Sequence, residues 1–496
     1  MRCRFLIFAL IFAISFGCAG CSSKKSEENS SLILAVENNL RPGFIIKGEP
    51  VRTVNIFDRM KQLNVPGASL AIINNGKVEW AKGYGIRERG CENLVTTETL
   101  FQAASISKPV AALGILHLVD TGLLNLDAPV NDKLKSWHIP DNEFTKDKKV
   151  SLKGLLNHSA GLTVNGFPGY SVKNDIPTII QVLEGEEPSN TDPIRVDIIP
   201  GSQWRYSGGG YTVVQLLITD TMGKSFNDYM KETVLDPIGM IYSTFEQPLS
   251  GEAAMSAASG HRGNNEVVKG KWHIYPEKAA AGLWTTPSDL CRFAIEIQKS
   301  LAGQSNEVIS KSLTEQMLTP GIGGFGLGFA LSGNGEVVAF YHGGSNEGFR
   351  CKLVAFAKEF QGAVVMTNSD NGWPLIREII RSIAYVYKWP IFQSEEVNLI
   401  ELESSVIEAY VGEFTMSNNP DMVFIFSVKD GRLFFKPIED TDIALYPISK
   451  TEFVRLEPAQ YVTFVKSQDG SFDKIKIRSI DSSKELILVR KSLVGR

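Results

Sequence analysis

Apolar and polar residues alternate in the early part of the chain in a pattern that predicts a β-hairpin. Its strands are expected at Ala68 to Ile73 and at Lys77 to Tyr84, because the turn signal Asn74-Asn75-Gly76 separates them. Four later runs have the same strand-like character: Phe325 to Leu331, Glu336 to Tyr341, Phe349 to Phe356 and Ala363 to Thr367. We expect the later runs to form one antiparallel sheet, with His342-Gly343-Gly344 as a loop between the second and the third.

Between these strands, from about residue 105 to residue 320, the pattern is mainly helical. Val110 to Val119 is mostly apolar, which predicts a helix that is buried on all sides. A proline fits a helix only in its first turn, so Pro109 places the start of this helix close to Ser105. The expected fold class is α+β: an antiparallel sheet flanked by helices plus a mainly helical subdomain, with a site in the cleft between the two halves.

After Trp389-Pro390 the pattern changes to short strand-like runs separated by the turn signals Asp430-Gly431 and Asp469-Gly470. The clearest runs are Met422 to Val428, Arg432 to Pro437, Tyr461 to Lys466 and Lys474 to Ser479. They predict a separate, small, all-β, barrel-like domain. The predicted division is 46–390 for the main domain, 391–405 for a linker and 406–496 for the β domain.

Composition agrees with a chain that folds into more than one compact unit, since 43% of the 496 residues are hydrophobic. The net charge is −4 and lysines and arginines do not cluster, so nucleic acid is not an expected partner. The six histidines and the cysteines lack the spacing of a metal site. We therefore expect no metal and no cofactor.

The strongest chemical signal is Ser105-Ile106-Ser107-Lys108. A serine hydroxyl needs a neighbouring base to attack a carbonyl, and residues three apart on a helix share one face. The same spacing at Ser22–Lys25 and Ser471–Lys474 is better explained by solvated pairs. Ser105 differs because its apolar surroundings should bury Lys108, and desolvation lowers the pKa of a lysine toward that of a usable base.

Several further motifs follow Ser105 in a fixed order: Gly122 to Asp127, Leu155 to Leu162, Tyr206-Ser207-Gly208, Ala280 to Thr286 with Asp289, and His342-Gly343-Gly344. From about Val65 to Trp389 the chain resembles the serine β-lactamases and penicillin-binding proteins. Within them it is most similar to the branch of class C β-lactamases, D-aminopeptidases and esterases. The resemblance implies the serine β-lactamase/transpeptidase fold and an acyl-serine intermediate.

By the same resemblance, Ser105 is the nucleophile, Lys108 the base and Tyr206 a second acid/base. His342 is the fourth catalytic residue, on a strand edge. The backbone N–H groups of Ser105 and Ser345 would form the oxyanion hole. Gly208, Gly343 and Gly344 would border the substrate.

Two departures from the family pattern bear on the substrate. Position 208 is glycine where the family usually has asparagine, and His342 replaces a lysine that suits a carboxylate. The expected activity is therefore that of an esterase or a D-amino-acid peptidase acting on a small-molecule or peptide substrate. A β-lactamase or DD-carboxypeptidase is one alternative, and a penicillin-recognising binding protein that deacylates slowly is another.

The first residues indicate export. Arg2 and Arg4 precede an apolar run from Phe5 to Phe16, typical of a signal peptide, here expected over residues 1–20. The Ala-Gly-Cys ending resembles a bacterial lipobox, which implies lipidation of Cys21, with Cys18 as second choice. A plain signal peptide is the alternative. A polar tether over 21–45 would then link a membrane-anchored lipoprotein, on the periplasmic or cell-surface side, to its folded body.

Two regions leave their roles open. The Gly- and Pro-rich segment 163–202 is expected either to shape substrate choice or to be a surface insertion. The C-terminal domain resembles a lipocalin-like barrel and would either control access to the cleft or have no part in the chemistry. The oligomeric state is not indicated by the sequence.

Overall fold

A computed structural model describes residues 29–333, 337–416, 419–437, 441–468, 470–481 and 485–491. Its α-helices are α1 (29–37), α2 (Ile56–Gln62), α3 (Ser107–Asp120), α4 (Leu152–Leu156), α5 (Ile179–Glu184), α6 (Gly208–Met222), α7 (Phe226–Met230), α8 (Gly251–Ser256), α9 (Lys278–Ala281), α10 (Pro287–Leu301), α11 (Lys311–Met317), α12 (Gly372–Val386) and α13 (Ser404–Glu408). Short 3₁₀ turns are formed by Ala104–Ile106, Val130–Asp132 and Ile322–Gly324, and a π-helical turn by Lys231–Leu235.

The strands of the main domain are β1 (Phe44–Ile46), β2 (Gly67–Asn74), β3 (Lys77–Gly85), β4 (Phe101–Gln102), β5 (Tyr170–Ser171), β6 (His273–Ile274), β7 (Trp284–Thr285), β8 (Ala330–Ser332), β9 (Ala339–Asn346), β10 (Phe349–Phe356) and β11 (Gly362–Thr367). They are followed by β12 (Glu395–Val397), β13 (Gly412–Met416), β14 (Asn419–Lys429), β15 (Arg432–Pro437), β16 (Ile443–Pro447), β17 (Glu452–Arg455), β18 (Gln460–Lys466), β19 (Phe472–Ser479) and β20 (Glu485–Arg490).

The central sheet is antiparallel and has the strand order β3-β2-β11-β10-β9-β8. Helices cover both of its faces, so β11 is buried along its whole length. On one face α12 packs through Leu375, Ile376 and Ile379, whose spacing puts them on one side of the helix. On the other face α10 separates the sheet from the helical half. The predicted α+β fold class and the antiparallel sheet are confirmed.

Two of the strand predictions were wrong. The stretch Phe325 to Leu331 is mostly irregular, and only Ala330–Ser332 pairs with the sheet. His342-Gly343-Gly344 lies within β9 and is not a loop; the turn follows it, at Glu347-Gly348. Glycine suggests a loop because it weakens a strand. In β9 the glycines are needed, because other parts of the protein fill the space that their side chains would occupy.

The helical half is built around α3, which is buried along most of its length because its residues are apolar on every side. It contacts α6, α7 and α9. The helices α6 and α10 begin with side-chain caps, since Ser207 accepts from Gly210 N and Thr286 accepts from Asp289 N. The turn before α3 contacts β9, and Tyr206, just before α6, packs against His342 of β9, so both helix starts lie beside this strand.

The C-terminal strands β13 to β20 form a closed antiparallel barrel. Its core is aromatic and aliphatic and includes Phe414, Phe426 and Phe464. The segment predicted as a linker contains β12, which pairs in parallel with β1. Phe44 of β1 and Val397 of β12 pack with Val454 and Ala459 of the barrel region, so this strand pair lies between the main domain and the barrel.

The N-terminal region differs in part from its prediction. Residues 29–37, within the segment predicted as a polar tether, form α1, and Val36 and Leu40 are buried against the sheet. Apolar burial fixes this stretch to the domain. The predicted signal peptide and the lipidation residue Cys21, with its alternative Cys18, lie outside the described residues. Among the described helices, none combines the length and the apolar character needed to span a membrane.

Candidate functional site

The candidate nucleophile, Ser105, lies in the tight turn that leads into α3. Ala104, directly before it, has a φ of 48°, which non-glycine residues adopt only when the surrounding structure holds them there. Ser107 supplies part of that support, because its Oγ donates to Ala104 O at 2.6 Å and accepts from Leu283 N at 3.0 Å. The turn therefore presents Ser105 in a fixed position.

Lys108 is one helical turn from Ser105 and is 1% exposed. Its Nζ lies 3.0 Å from Ser105 Oγ and donates to Ala280 O at 2.8 Å. Burial lowers the pKa of Lys108 to about 7, so a large fraction of the amine is uncharged at neutral pH. An uncharged amine at this distance can accept the proton of the serine hydroxyl.

Tyr206 lies just before α6 and completes the group. Its side chain lines the same cleft as Ser105, and Lys108 Nζ is 5.0 Å from the centroid of its ring. The ring of His158 packs 4.3 Å from the Tyr206 ring and holds it in place. Burial raises the pKa of Tyr206, so the phenol remains protonated near neutral pH and can donate.

The fourth predicted residue, His342, lies on β9 beside this group. It is 5% exposed, and its Nδ1 is 2.6 Å from Gly343 O. Burial, reinforced by the nearby Lys108, lowers the pKa of His342 to about 3. The imidazole is therefore uncharged at neutral pH and supplies no positive charge to the cleft.

The glycines beside His342 allow close packing. A Cβ on Gly344 would lie 2.3 Å from Ala103 O and 2.4 Å from Cys351 Sγ. A Cβ on Gly343 would lie 2.7 Å from the ring of Trp373. Because Gly344 has no side chain, β9 can approach the turn that carries Ser105. Because Gly343 has none, the indole of Trp373 can lie against the strand.

Ser105, Tyr206, His342, Gly343 and Ser345 all line one cleft of about 470 Å³. Ser105 and Ser345 are thus on the walls of the same cavity, as an oxyanion hole formed by their N–H groups requires. That assignment stays a prediction. β8 pairs with β9 only at Ala339 to Tyr341, so the β9 residues that follow border the cleft.

A larger cavity of about 730 Å³ lies between β1, the β12 segment and one end of the barrel. Its lining is mostly aliphatic and aromatic and contains no serine, cysteine, histidine or lysine. This cavity therefore has no counterpart of the Ser105–Lys108 pair, although Glu49 and Glu401 are among its lining residues.

Of the cleft-wall residues that sequence reasoning missed, three carry polar side-chain groups: Tyr341, Trp373 and Asp481. Trp373, at the start of α12, donates from Nε1 to Ser345 Oγ at 3.1 Å. Asp481 follows β19 of the barrel, so the C-terminal domain contributes directly to the cleft. Trp373 lies at the start of a helix that the sequence pattern indicates. Asp481 comes almost four hundred residues after Ser105, and no local pattern connects the two.

A sequence profile of the beta-lactamase family matches residues 55–386, which is most of the chain. The chain belongs to this family. The match includes the nucleophile turn, α6, β9 and α12, and it ends before the barrel. Family membership confirms the resemblance inferred from the motifs and supports a serine hydrolase, without showing a specific activity.

Among curated proteins, the chain is 26% identical to protein flp of Staphylococcus aureus strain MW2 over 320 residues, which is 62% of this chain and 60% of that protein. It is 25% identical to penicillin-binding protein 4 of Amycolatopsis lactamdurans over 343 residues, covering 66% of this chain and 87% of that protein. The match to flp thus spans less than two thirds of flp.

Two solved structures show the same fold. An octameric penicillin-binding protein homologue from Pyrococcus abyssi superposes with a TM-score of 0.58 at 22% identity, covering 87% of this chain and 98% of that one. D-amino acid amidase from Ochrobactrum anthropi SV3 superposes with a TM-score of 0.55 at 19% identity, covering 72% and 99%. The first match extends beyond the family region, to most of the chain.

Gly208, where the family motif usually has asparagine, is enclosed by its neighbours. A Cβ at this position would lie 2.9 Å from the Phe167 ring and 3.0 Å from Asn165 O. The segment 163–202 therefore occupies the space of the missing amide, and it contributes none of the cleft-lining residues. Whether this segment shapes substrate choice or is a surface insertion stays a prediction; at Gly208 it packs against the start of α6.

Asp481 also holds the barrel against α12. It accepts from Arg381 Nη2 at 2.6 Å and lies 3.5 Å from Arg377 Nε, and the Arg381 side chain is only 4% exposed. A buried arginine that loses its carboxylate remains in a poorly solvated place. The ion pair should therefore contribute to domain docking as well as to the charge of the cleft.

Asp481→Asn should loosen this docking. We expect the free energy of unfolding to fall by about 3 kcal/mol, because Arg381 would keep its burial and lose its counter-ion. Urea unfolding would measure the loss, and hydrogen exchange of α12 and β19 would locate it. Glu413→Gln, which breaks the exposed Lys491–Glu413 pair, is the control and should change little. Equal stability of the Asp481 variant and the control would show that this ion pair does not hold the barrel.

Proposed function

We propose that this chain is an exported, lipid-anchored serine hydrolase that cleaves an ester or amide bond through an acyl-Ser105 intermediate. The observation that carries the proposal is the 3.0 Å contact between Ser105 Oγ and the buried amine of Lys108. Membership of the beta-lactamase family supports it. Export and lipid attachment are supported by the N-terminal motif alone.

In the proposed reaction, the neutral Lys108 amine accepts the proton of Ser105 as Oγ attacks the substrate carbonyl. Tyr206 can pass the proton that Lys108 has taken up on to the leaving group, because it lines the same cleft as Ser105, lies beside Lys108 and has a raised pKa that keeps the phenol protonated. The N–H groups of Ser105 and Ser345 would stabilise the oxyanion. Water then attacks the acyl carbon and Ser105 leaves with its proton restored.

The charge of the cleft favours an esterase or a D-amino-acid peptidase. His342 is uncharged, Asp481 is the acidic residue of the described cleft wall, and the wall contains neither lysine nor arginine. A carboxylate beside the scissile bond would therefore find no positive partner on the wall. Neutral esters, or peptides whose charge lies away from the cleft, fit this wall better.

Penicillin recognition is the second candidate. The similarity to penicillin-binding protein 4 of Amycolatopsis lactamdurans favours it, and the acylation group described above would serve a β-lactam equally. The absence of a cation from the described cleft wall disfavours it as an efficient activity, because a penicillin carries a carboxylate. If acylation occurred but the acyl group remained, the protein would act as a receptor.

The proposal is tested by intact-protein mass spectrometry of a soluble form that begins after the lipobox. Wild type should gain one adduct with a fluorophosphonate, and Ser105→Ala should gain none, since Oγ is the proposed nucleophile. Ser300→Ala, which removes a buried hydroxyl of α10 that is bonded to Ile309 O, is the control and should still be labelled. Labelling of Ser105→Ala would refute the assignment.

The same samples identify the substrate class. Turnover of a short-chain ester or a D-amino-acid peptide, with little reaction with a penicillin, is the expected result. A stable penicillin adduct without turnover would instead support the receptor function.

A further inference from the structure

Glu277 is a buried acidic residue that the proposed reaction does not use. It lies directly before α9 and is 0% exposed, and among the described residues neither of its carboxyl oxygens has a hydrogen-bond partner. Buried carboxyl groups without a partner are rare, because their ionised form is very costly away from water. Desolvation raises the pKa of Glu277 to about 8, with only its own backbone N–H acting in the opposite direction.

Among the residues that the structure describes, no cation acts on the pKa of Glu277. The titratable groups that interact with Glu277 are the phenols of Tyr170, on β5, and Tyr275, two residues earlier. From α6 the neighbouring stretch receives the neutral amide of Gln215, which bonds to Pro276 O and Ala279 N. Lys278, the next residue, directs its amine to Asn227 instead. Glu277 is therefore uncharged at neutral pH, and its surroundings suit only the uncharged form.

The backbone at Glu277 is connected to the catalytic lysine. Glu277 O accepts from Ala280 N at 3.0 Å and from Ala281 N at 2.9 Å, which forms the turn of α9. Ala280 O accepts from Lys108 Nζ, and Ala281 O accepts from Asn346 Nδ2 at 3.1 Å. This one turn thus holds Lys108 on one side and the end of β9 on the other.

We propose that Glu277 is a positioning residue: its uncharged carboxyl lets the 277–281 turn hold Lys108 against Ser105, and its ionisation in alkaline solution displaces that turn. The inference rests on the proposed function of Ser105. An ionised carboxylate with no partner must reach water, and it can do so only if the segment that carries it moves. When Ala280 O moves, the Lys108 amine loses the carbonyl oxygen to which it donates.

This inference predicts an alkaline loss of activity that the catalytic residues do not supply. Acylation should rise as Lys108 loses its proton near pH 7. The pKa of His342 is lowered to about 3 and that of Tyr206 is raised, so neither titrates in mildly alkaline solution. If only these groups titrated, the rate of acylation would stay constant in mildly alkaline solution. Ionisation of Glu277 predicts a fall above about pH 8, about tenfold for one pH unit beyond its pKa.

The experiment measures the rate of fluorophosphonate labelling from about pH 6 to pH 10 in wild type, Glu277→Gln and the exposed control Glu266→Gln. Wild type and the control should lose rate at alkaline pH, whereas Glu277→Gln should keep its plateau, because glutamine resembles the protonated acid. Glu277→Met, also uncharged and of similar length, should behave in the same way and serves if the glutamine variant does not fold.

A plateau in wild type, or an alkaline fall that persists in an uncharged variant, would overturn the inference and leave the proposed function intact. Absence of labelling at every pH in wild type would instead refute the proposed function and, with it, this inference.

Unfolding provides a readout that does not depend on activity. The pKa of Glu277 is raised from 4.5 to about 8 in the folded state, so the folded protein holds a proton that the unfolded chain has lost over this range. Its contribution to stability is complete below about pH 4.5 and is lost as the pH rises to about 8. The free energy of unfolding of wild type should therefore decline, relative to that of Glu277→Gln, across this window; parallel curves would contradict the inference.

Discussion

Lys108→Ala should lower the rate of Ser105 acylation by about a thousandfold, within the range that general base catalysis contributes. The amine lies 3.0 Å from Ser105 Oγ, and it is the basic side chain in contact with that hydroxyl in the structure. Folding should be affected little, because the substitution removes a buried amine whose charged form is disfavoured by burial. Fluorophosphonate labelling and urea unfolding of the same protein would measure both effects.

Two further variants separate the base from other roles of Lys108. Lys108→Arg keeps a long cationic side chain but cannot deprotonate, so it should be as slow as the alanine variant. Lys224→Ala, which removes an exposed lysine bonded to Glu232, is the control and should keep the wild-type rate. Near-normal acylation in Lys108→Arg would show that a positive charge, and not a base, is what Ser105 requires.

The sheet and the nucleophile helix were predictable from sequence because both depend on local patterns. Alternation and the Asn-Gly turn define β2 and β3, and their register keeps the turn where it was expected. The apolar run after Pro109 defines α3. The weaker predictions, at Phe325 to Leu331 and at His342 to Gly344, fall on stretches rich in glycine, where the pattern alone does not separate strand from loop.

The grouping of the candidate catalytic residues was predictable for a different reason. Ser105, Tyr206 and His342 are far apart in sequence, so only the order of family motifs could bring them together, and the structure places them around one cleft. Asp481 and Glu277 had no such signal. The role of Asp481 depends on how the barrel docks on α12. The role of Glu277 depends on the lack of a hydrogen-bond partner for its buried carboxyl group among the described residues. Neither property is contained in a local stretch of sequence.

Gly344→Ala should have the second large effect, an acylation rate lowered about a hundredfold, because it moves the strand that borders the nucleophile. The added methyl group would lie 2.3 Å from Ala103 O and 2.4 Å from Cys351 Sγ. The first of these atoms belongs to the backbone of the Ser105 turn, so relief of the clash must displace β9 or the turn. Overpacking of this kind typically costs about 1–3 kcal/mol of stability.

The matched control is Gly166→Ala, because a Cβ at Gly166 would meet no atom within 4 Å. It should keep both the labelling rate and the stability of wild type. Adding Cys351→Ala to Gly344→Ala removes one of the two clashing atoms but leaves Ala103 O in place, so it should restore part of the stability and little of the acylation rate. Full recovery of the rate in that double variant would show that crowding at Cys351, and not displacement of the Ser105 turn, accounts for the loss.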